Sequence, residues 1–282
     1  MRLRIQARAK VNWTLDVVGT LPNGYHDLDM LMQSVTLCDQ MIVEDAPQLT
    51  LSVRAGGRHF VPANENNLVL KAALALARET GCTRGASIFL RKYIPVAAGM
   101  GGGSSDAAAA LVGLNRLWGL KLTQDELERI GLTIGADVPF CIRGGLQRAQ
   151  GVGERLTPLA LARPLYLVAF QPCRGLSTRD VFAGLREEGI REDDRPDNEN
   201  ARRALETGDI PLLGRSLGNV LEPVARRMRP AIDQAIRDLE QAGAVGARMT
   251  GSGSAVFGVF MHAGAPAAER RMCWKARIPR AA

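Results

Sequence analysis

The sequence predicts an α+β protein of two domains, residues 1–158 and 159–282. Three observations carry that prediction. Segments rich in Val, Leu, Ile and Thr crowd the first 55 residues. Helical spacings then alternate with strand-like runs in both halves, and a glycine-rich turn stands between a strand and a helix near residue 100. The length of 282 residues exceeds one small module and suits one large domain or two modest ones.

In the first half, strands are expected near 2–8, 11–18, 28–37, 40–45 and 49–54, broken by Pro22-Asn23-Gly24 and Ala46-Pro47. Leu68, Leu70, Leu74 and Leu76 repeat at helical spacing from Asn67 to Thr80, and Gly81 ends that helix. Ala86 to Tyr93 reads as a strand, and a helix runs from about Ser104 to Trp118. Thr123 caps the next helix, with Glu126 three residues on. In the second half Leu165–Phe170 is a strand and Ser177–Leu185 a helix. Residues 186–200 are nearly all polar and are expected to form a mobile surface loop. Helices near 201–206, 211–218 and 229–242, strands near 245–249 and 255–261, and a last helix near 264–273 complete the series. The domains are expected to meet near 155–163.

Composition excludes several classes. Hydrophobic residues make up 46% and charged residues 23%, the balance of an ordinary soluble domain rather than a disordered or collagen-like chain. No run approaches the roughly 18 uncharged apolar residues of a membrane span. The start, Met1–Gln6, is charged without an apolar h-region, so a cytoplasmic protein with no membrane partner is expected. The net charge of +7 comes from scattered arginines, with only Lys10, Lys71, Lys92, Lys121 and Lys275 as lysines. Without blocks of like charge or interleaved aromatics, no nucleic-acid partner is expected, although a basic field suits anionic small substrates. Cys38, Cys82, Cys141, Cys173 and Cys273 form no CxxC pair and read as reduced, mostly buried thiols. Three histidines, His26, His59 and His262, are too few for a multi-histidine metal site.

The strongest chemical signal is Pro95-Val96-Ala97-Ala98-Gly99-Met100-Gly101-Gly102-Gly103-Ser104-Ser105-Asp106. Glycines let a backbone approach a ligand closely, and Ser104 or Ser105 can cap the helix that follows. The helix start offers unpaired N–H groups and about half a positive charge, which suits phosphate. No Gly-Lys-Ser/Thr closes the turn, so it is not a Walker A loop, and Ser104 stands where a dinucleotide fingerprint needs its third glycine. A merely flexible turn is the plain alternative. Elsewhere the residues alone are less telling. Lys10 lies among Val11, Trp13 and Leu15, which alternate as in a half-buried strand, and a lone strand lysine is usually solvated. Asp137, between Gly135 and Pro139, reads on its own as a turn residue. Gly24-Tyr25-His26 follows a hairpin signal, and Phe182 fits an amphipathic helix core beside Val181 and Leu185.

The glycine-rich segment resembles the phosphate loop of the GHMP kinases, a family that includes galactokinase, homoserine kinase and mevalonate kinase. Ala9-Lys10-Val11-Asn12-Trp13-Thr14-Leu15 with Gly24-Tyr25-His26, and Gly135-Ala136-Asp137-Val138-Pro139-Phe140, narrow it to the branch whose alcohol substrate carries a cytidine end, in the non-mevalonate isoprenoid route. Thr250-Gly251-Ser252-Gly253-Ser254 is similar to that family's C-terminal motif. The resemblance covers residues 5 to about 262 in order. It implies an N-terminal domain like ribosomal protein S5 domain 2 and a ferredoxin-like C-terminal domain. It also implies ATP and Mg2+ as cofactors, and a monomer or weak homodimer that takes only small molecules. By resemblance, Asp137 accepts the proton of the attacking hydroxyl with Lys10 as the catalytic cation, and Asn12 orients the same group. Tyr25, His26 and Phe182 hold the cytidine end; Asn67 and Lys92 fall at adenine contacts; and Pro95, Val96, Ala97, Ala98, Gly99, Met100, Gly101, Gly102, Gly103, Ser104 and Ser105 hold the phosphates. Ala97 departs from the usual glycine there, which is expected to tighten the loop entrance. No partner carboxylate for magnesium is evident, so the ion is expected on phosphates and water. The rivals are another GHMP kinase, disfavoured by Gly24-Tyr25-His26, and a non-catalytic RNA-binding protein, given the implied S5-like fold and a pI near 9.5.

Overall fold

The computed structural model describes residues 1–22, 24–56, 61–262 and 273–277, the last five as backbone. Two long strands open the chain, β1 (Arg2–Thr20) and β2 (His26–Ala46), followed by β3 (Thr50–Ala55), α1 (Leu68–Thr80), β4 (Gly85–Lys92), α2 (Gly102–Trp118), α3 (Gln124–Leu132) and α4 (Val138–Arg143). Next come β5 (Leu146–Gly151), β6 (Arg155–Pro158), β7 (Tyr166–Phe170), α5 (Thr178–Glu188), α6 (Asn198–Thr207), α7 (Ile210–Ser216) and the short β8 (Gly218–Asn219). The series ends with α8 (Glu222–Met228), α9 (Ala231–Gln241), β9 (Gly246–Met249), β10 (Val256–Phe260) and β11 (Cys273–Arg277).

Helix ends follow local chemistry. Asn67 caps α1 by accepting from the Val69 N–H, and Gly81 closes it in the left-handed conformation. Thr123 and Glu126 form the expected reciprocal capping box on α3. Ser177 caps α5 by accepting from the Asp180 N–H. In contrast, α2 starts before Ser104: its cap is Gly101, at φ 69°, with no side-chain cap, so neither Ser104 nor Ser105 caps it.

The chain forms two compact units that do not follow chain order. One comprises Met1–Ala9, Cys38–Val96 and Gly101–Gly144; the other comprises Lys10–Leu37, Ala97–Met100 and Gly145–Ala282. In the first, β4 lies between the second half of β2, antiparallel, and β3, parallel. Met41, Val43, Ala86, Ile88 and Leu90 from these strands share one core with Val69, Ala72, Ala73 and Leu76 of α1 and Ala107–Leu111 of α2. The alanine run of α2 is buried, and its small side chains let the helix lie close to its neighbours.

In the second unit, the first half of β2 pairs with β5, which pairs in turn with β6, all antiparallel. Arg148 on β5 grips Asp29 on β2 with two hydrogen bonds, Nε to Oδ1 at 2.8 Å and Nη2 to Oδ2 at 2.6 Å. A separate antiparallel sheet runs β11-β7-β10-β9. Trp13 is fully buried edge-on to Phe257, with ring centroids 5.6 Å apart.

Several expectations change. The gaps expected near 9–10 and 38–39 do not occur, because β1 and β2 run through them, while β1 ends at Thr20 before Pro22 and β2 ends at Ala46 before Pro47 as expected. Residues 186–200 are not a free loop: α5 extends to Glu188, a single 3₁₀ turn covers Glu192–Asp194, and α6 begins at Asn198. Arg195 donates to Asp16 Oδ1 at 2.7 Å, and Asn198 donates to the Asp29 carbonyl at 3.3 Å, so this polar segment is pinned to β1 and β2. α4 and α8 were not foreseen, being short and each carrying a proline in the first turn. Cys38, Cys82, Cys141 and Cys173 form no disulfide among the described residues and are only half-buried. Asn23, His59 and most of the helix expected near 264–273 lie outside the described residues, and Cys273 begins a strand.

Gly214 of α7 and Gly246 of β9 lie backbone to backbone: a Cβ on Gly246 would sit 2.6 Å from the Gly214 carbonyl oxygen, and one on Gly214 would collide with the carbonyl of Val245. Gly214→Ala should therefore destabilise by about 1–3 kcal/mol through overpacking against rigid backbone. Urea unfolding measures it, and an unchanged midpoint would contradict the contact.

Candidate active site

β1 carries polar residues on alternate positions, Lys10, Asn12, Thr14 and Asp16, opposite Ala9, Val11, Trp13, Leu15 and Val17. Both sets are buried, so the half-buried strand and solvated lysine expected from the alternation are not found; Lys10 is 4% exposed. Each polar group has partners. Lys10 Nζ donates to Asn12 Oδ1 at 2.7 Å. The Asn12 backbone N–H donates to Thr250 Oγ1 at 3.0 Å, and that hydroxyl also lies 3.3 Å from Asn12 Oδ1. Thr14 Oγ1 accepts from the Leu31 N–H at 3.0 Å.

The glycine-rich turn meets this strand. The Lys10 N–H donates to the Met100 carbonyl at 3.0 Å, and the Ala98 carbonyl accepts from Ala255 N–H at 3.0 Å. Gly99 takes φ 76°, and a Cβ there would collide with the Thr250 carbonyl. A Cβ on Gly251 would lie 2.7 Å from the Gly99 carbonyl oxygen and 3.2 Å from Lys10 Nζ. The structure thus brings Lys10, Asn12, Gly99, Met100, Thr250 and Gly251 together. Thr250 and Gly251 belong to a motif the sequence exposes, yet the Asn12–Thr250 bond crosses 238 residues and has no local signal. Ala97 sits at φ 52°, the left-handed region that an L-residue occupies at a cost, against Gly175, where a Cβ would collide with it.

Past the turn, Gly102 and Gly103 are the first helical residues of α2 and need no positive φ. With no side chain capping it, this helix start leaves its first N–H groups for an anion. Ser105 is committed elsewhere, its hydroxyl donating to the Arg8 carbonyl at 2.6 Å. Ser104 Oγ lies 3.9 Å from where a Cβ of Gly135 would sit, which sets the Gly135–Asp137 turn beside this start. Asp137 occupies the cap position of α4 without a capping bond from its side chain. Asn67 is also near, since a Cβ on Gly103 would touch Leu68, but its amide is engaged locally, accepting from Val69 N–H at 2.9 Å and donating to the Pro62 carbonyl at 2.7 Å.

Lys92 is buried and ion-paired to Asp39 and Asp106, two residues that sequence reasoning missed as a group. Burial opposes its charge, but the attraction and hydrogen bonds of Asp106 and Asp39 outweigh it and raise its pKa.

At the start of β2, the His26 ring stacks on Phe182 of α5, with centroids 4.9 Å apart and planes 20° from parallel. Phe182 is half-buried, unlike Val181 and Leu185, which are the core residues of its helix. Tyr25, next in the chain, is 67% exposed. Thr178 and Ser252 hydroxyls meet at 2.8 Å, tying the start of α5 to the glycine-serine motif. Neither His26 ring nitrogen has a hydrogen-bond partner among the described residues. No group of three or more His, Cys, Asp or Glu that could hold a metal ion occurs among the described residues, and no helix there is long and apolar enough to cross a membrane.

A buried lysine at a glycine turn, a helix start without a side-chain cap and an aromatic stack each suit a small-molecule kinase of the GHMP class, and the comparisons identify that class. Residues 67–145 match the family model of the GHMP kinases N terminal domain, and residues 201–276 that of the GHMP kinases C terminal. A 4-diphosphocytidyl-2-C-methyl-D-erythritol kinase of Brevibacillus brevis is 44% identical over 91% of this chain and 87% of its own. One from Alkaliphilus metalliredigens is 39% identical over 93% and 89%. The crystal structure of a 4-(cytidine 5'-diphospho)-2C-methyl-D-erythritol kinase superposes with a TM-score of 0.80 at 33% identity, covering 98% of both chains. A homoserine kinase of Cytophaga hutchinsonii, at 22% identity and TM-score 0.74 over 94% of this chain and 86% of its own, shares the fold. The chain belongs to the 4-diphosphocytidyl-2-C-methyl-D-erythritol kinase family of GHMP kinases.

Burial, with the nearby Arg186 charge, lowers the His26 pKa below its usual 6.5. The native state therefore takes up a proton less readily than the unfolded chain, and stability falls as pH drops through 6.5. The His26 ring resonance should titrate with a midpoint below 6.5, moving up in Arg186→Ala; a midpoint at or above 6.5 would contradict the stacked, shielded ring.

Proposed function

We propose that this chain transfers the γ-phosphoryl group of ATP to the 2-hydroxyl of 4-diphosphocytidyl-2-C-methyl-D-erythritol, in the non-mevalonate route to isoprenoid precursors. The observation that carries this reading is the buried Lys10–Asn12 pair, bonded to Thr250 and packed on the Gly99 turn. A buried lysine costs desolvation unless paired, and here its fixed charge stands at a glycine turn shaped for close approach. Relatives bearing the kinase name span more than nine-tenths of the chain.

Phosphoryl transfer depends on in-line positioning and charge neutralisation. In this reading Gly99–Gly103 and the free N–H groups of α2 cradle the phosphates, and Lys10 supplies a fixed positive charge. Asn12 orients the acceptor, and Asp137 takes its proton. Magnesium in this reading enters as part of the MgATP substrate, held by phosphates and water. Tyr25, His26 and Phe182 receive the cytosine, with His26 neutral near pH 7 because burial lowers its pKa. The chain then works as a cytoplasmic enzyme without nucleic-acid partners, as a monomer or weak homodimer, in two domains divided near 158/159.

A phosphate-transfer assay offering the cytidine substrate, homoserine and mevalonate in turn tests the reading: phosphorylation of the first alone is expected, and preference for either other alcohol would overturn it. Asp137→Asn should lower kcat by about 10²–10⁴ with substrate binding largely kept; turnover above about a tenth of wild type would return Asp137 to a structural turn. Phe182→Ala should raise KM for the cytidine substrate about 5- to 150-fold, from about 1–3 kcal/mol of base stacking, and leave KM for ATP nearly constant. Equal weakening toward ATP would remove Phe182 from the cytidine pocket.

A further inference from the structure

Three ionisable side chains, Asp39, Lys92 and Asp106, meet inside the first unit, each less than a tenth exposed. They come from β2, the last residue of β4, and the early part of α2. The mechanism above uses none of them. Such a cluster is a poor stability device, because apolar residues of similar volume are often as stabilising or more so. Its position is more informative than its energy.

Asp39 divides its two oxygens. Oδ1 accepts from the backbone N–H groups of Tyr93 and Ile94, the latter at 2.8 Å, and so catches the chain as it leaves β4. Oδ2 accepts from Lys92 Nζ. The same ammonium donates to Asp106 Oδ2 at 2.5 Å. Lys92 Nζ lies 3.4 Å from where a Cβ of Gly102 would sit, directly against the first turn of α2. The cluster thus joins the end of β4 to the start of α2, the two fixed points between which the glycine turn is strung.

We propose that Asp39 and Asp106 are positioning residues for the nucleotide: through the Lys92 ammonium they hold the uncapped first turn of α2 where it meets the phosphate chain. This rests on the kinase reading above. The protonation pattern supports the geometry. Burial pushes Asp106 up to about 8, with Lys92 pulling it down and Asp39 adding to the rise. Asp106 accepts from Lys92 through one oxygen, a part an asparagine can play. Its Oδ1 is buried without a partner among the described residues.

The tie to α2 can be cut alone. Asp106→Leu keeps the branched shape, with methyls in place of the acceptor oxygens, and leaves Lys92 paired with Asp39. Calorimetric ATP affinity should weaken about 10- to 100-fold, as expected when a binding group is misplaced by an ångström or so. Affinity for the cytidine substrate should stay within about twofold, and Asp106→Asn should return ATP affinity to near wild type. ATP affinity within about twofold of wild type in Asp106→Leu, equal losses in the leucine and asparagine variants, or a fallen Tm with both affinities intact would each overturn the proposal. If the leucine variant does not fold, Asp39→Asn is read by the same criteria, since it keeps the acceptor for Tyr93 and Ile94 while loosening Lys92; loss of fold there too would assign the cluster to stability and overturn the proposal. Wild-type protein that binds no ATP would refute the kinase reading itself, whereas wild-type binding with unaltered variants removes only the positioning role.

Discussion

Burying the polar face of β1 is the constraint on which the rest of the second unit depends. Lys10, Asn12, Thr14 and Asp16 are all out of solvent, and a buried polar group without a partner costs more than a hydrogen bond returns. Local chain satisfies them only in part, through the Lys10–Asn12 pair and the Val17 N–H on Asp16. Other partners come from far along the sequence: Thr250 for Asn12, and Arg195 for Asp16. The segment around residue 195 and the glycine-serine motif at 250–254 therefore have their places set by one strand.

That constraint also explains how a lysine can stand in an interior. Lys10 is paired with Asn12 and stands beside the Gly251 backbone, which packs directly on the Gly99 backbone because neither residue carries a side chain. Asn219 strengthens the arrangement from below, donating to the carbonyls of Met249 at 2.9 Å and Gly251 at 2.8 Å. Glu222 accepts from the Met249 N–H at 2.7 Å. Rigid support of this kind suits a reaction that gains its rate from positioning and electrostatics.

The helices, the glycine turn and its chemistry were legible because their signals are local. Asn67 and Gly81 bracket α1, Thr123 and Glu126 open α3, and Ser177 opens α5, each by contacts within a few residues. Local rules also misled. A serine pair after four glycines looks like a cap, yet Gly101 opens the helix and Ser105 bonds to Arg8, a contact only the fold could supply. The polar run at 186–200 looks unstructured because its partners, Asp16 and Asp29, lie more than 150 residues away. Phe182 fits the core of an amphipathic helix by spacing alone, and only the His26 ring against it marks it out.

By itself the sequence determined the α+β class, the glycine turn between strand and helix, the order of the family motifs, and the residues that carry charge within them. Those features rest on backbone preference and near-neighbour contacts, which the chain specifies residue by residue. Only the tertiary structure decided which of the charged residues are buried and with whom. Lys10 found Asn12 and the Gly251 turn, and Lys92 found Asp39 and Asp106, because desolvation makes a buried charge seek whatever partner the packed fold brings within hydrogen-bond reach. Pairing across 53 residues in one case and 14 in the other is set by strand register and helix placement, and neither is written in the spacing of the residues concerned.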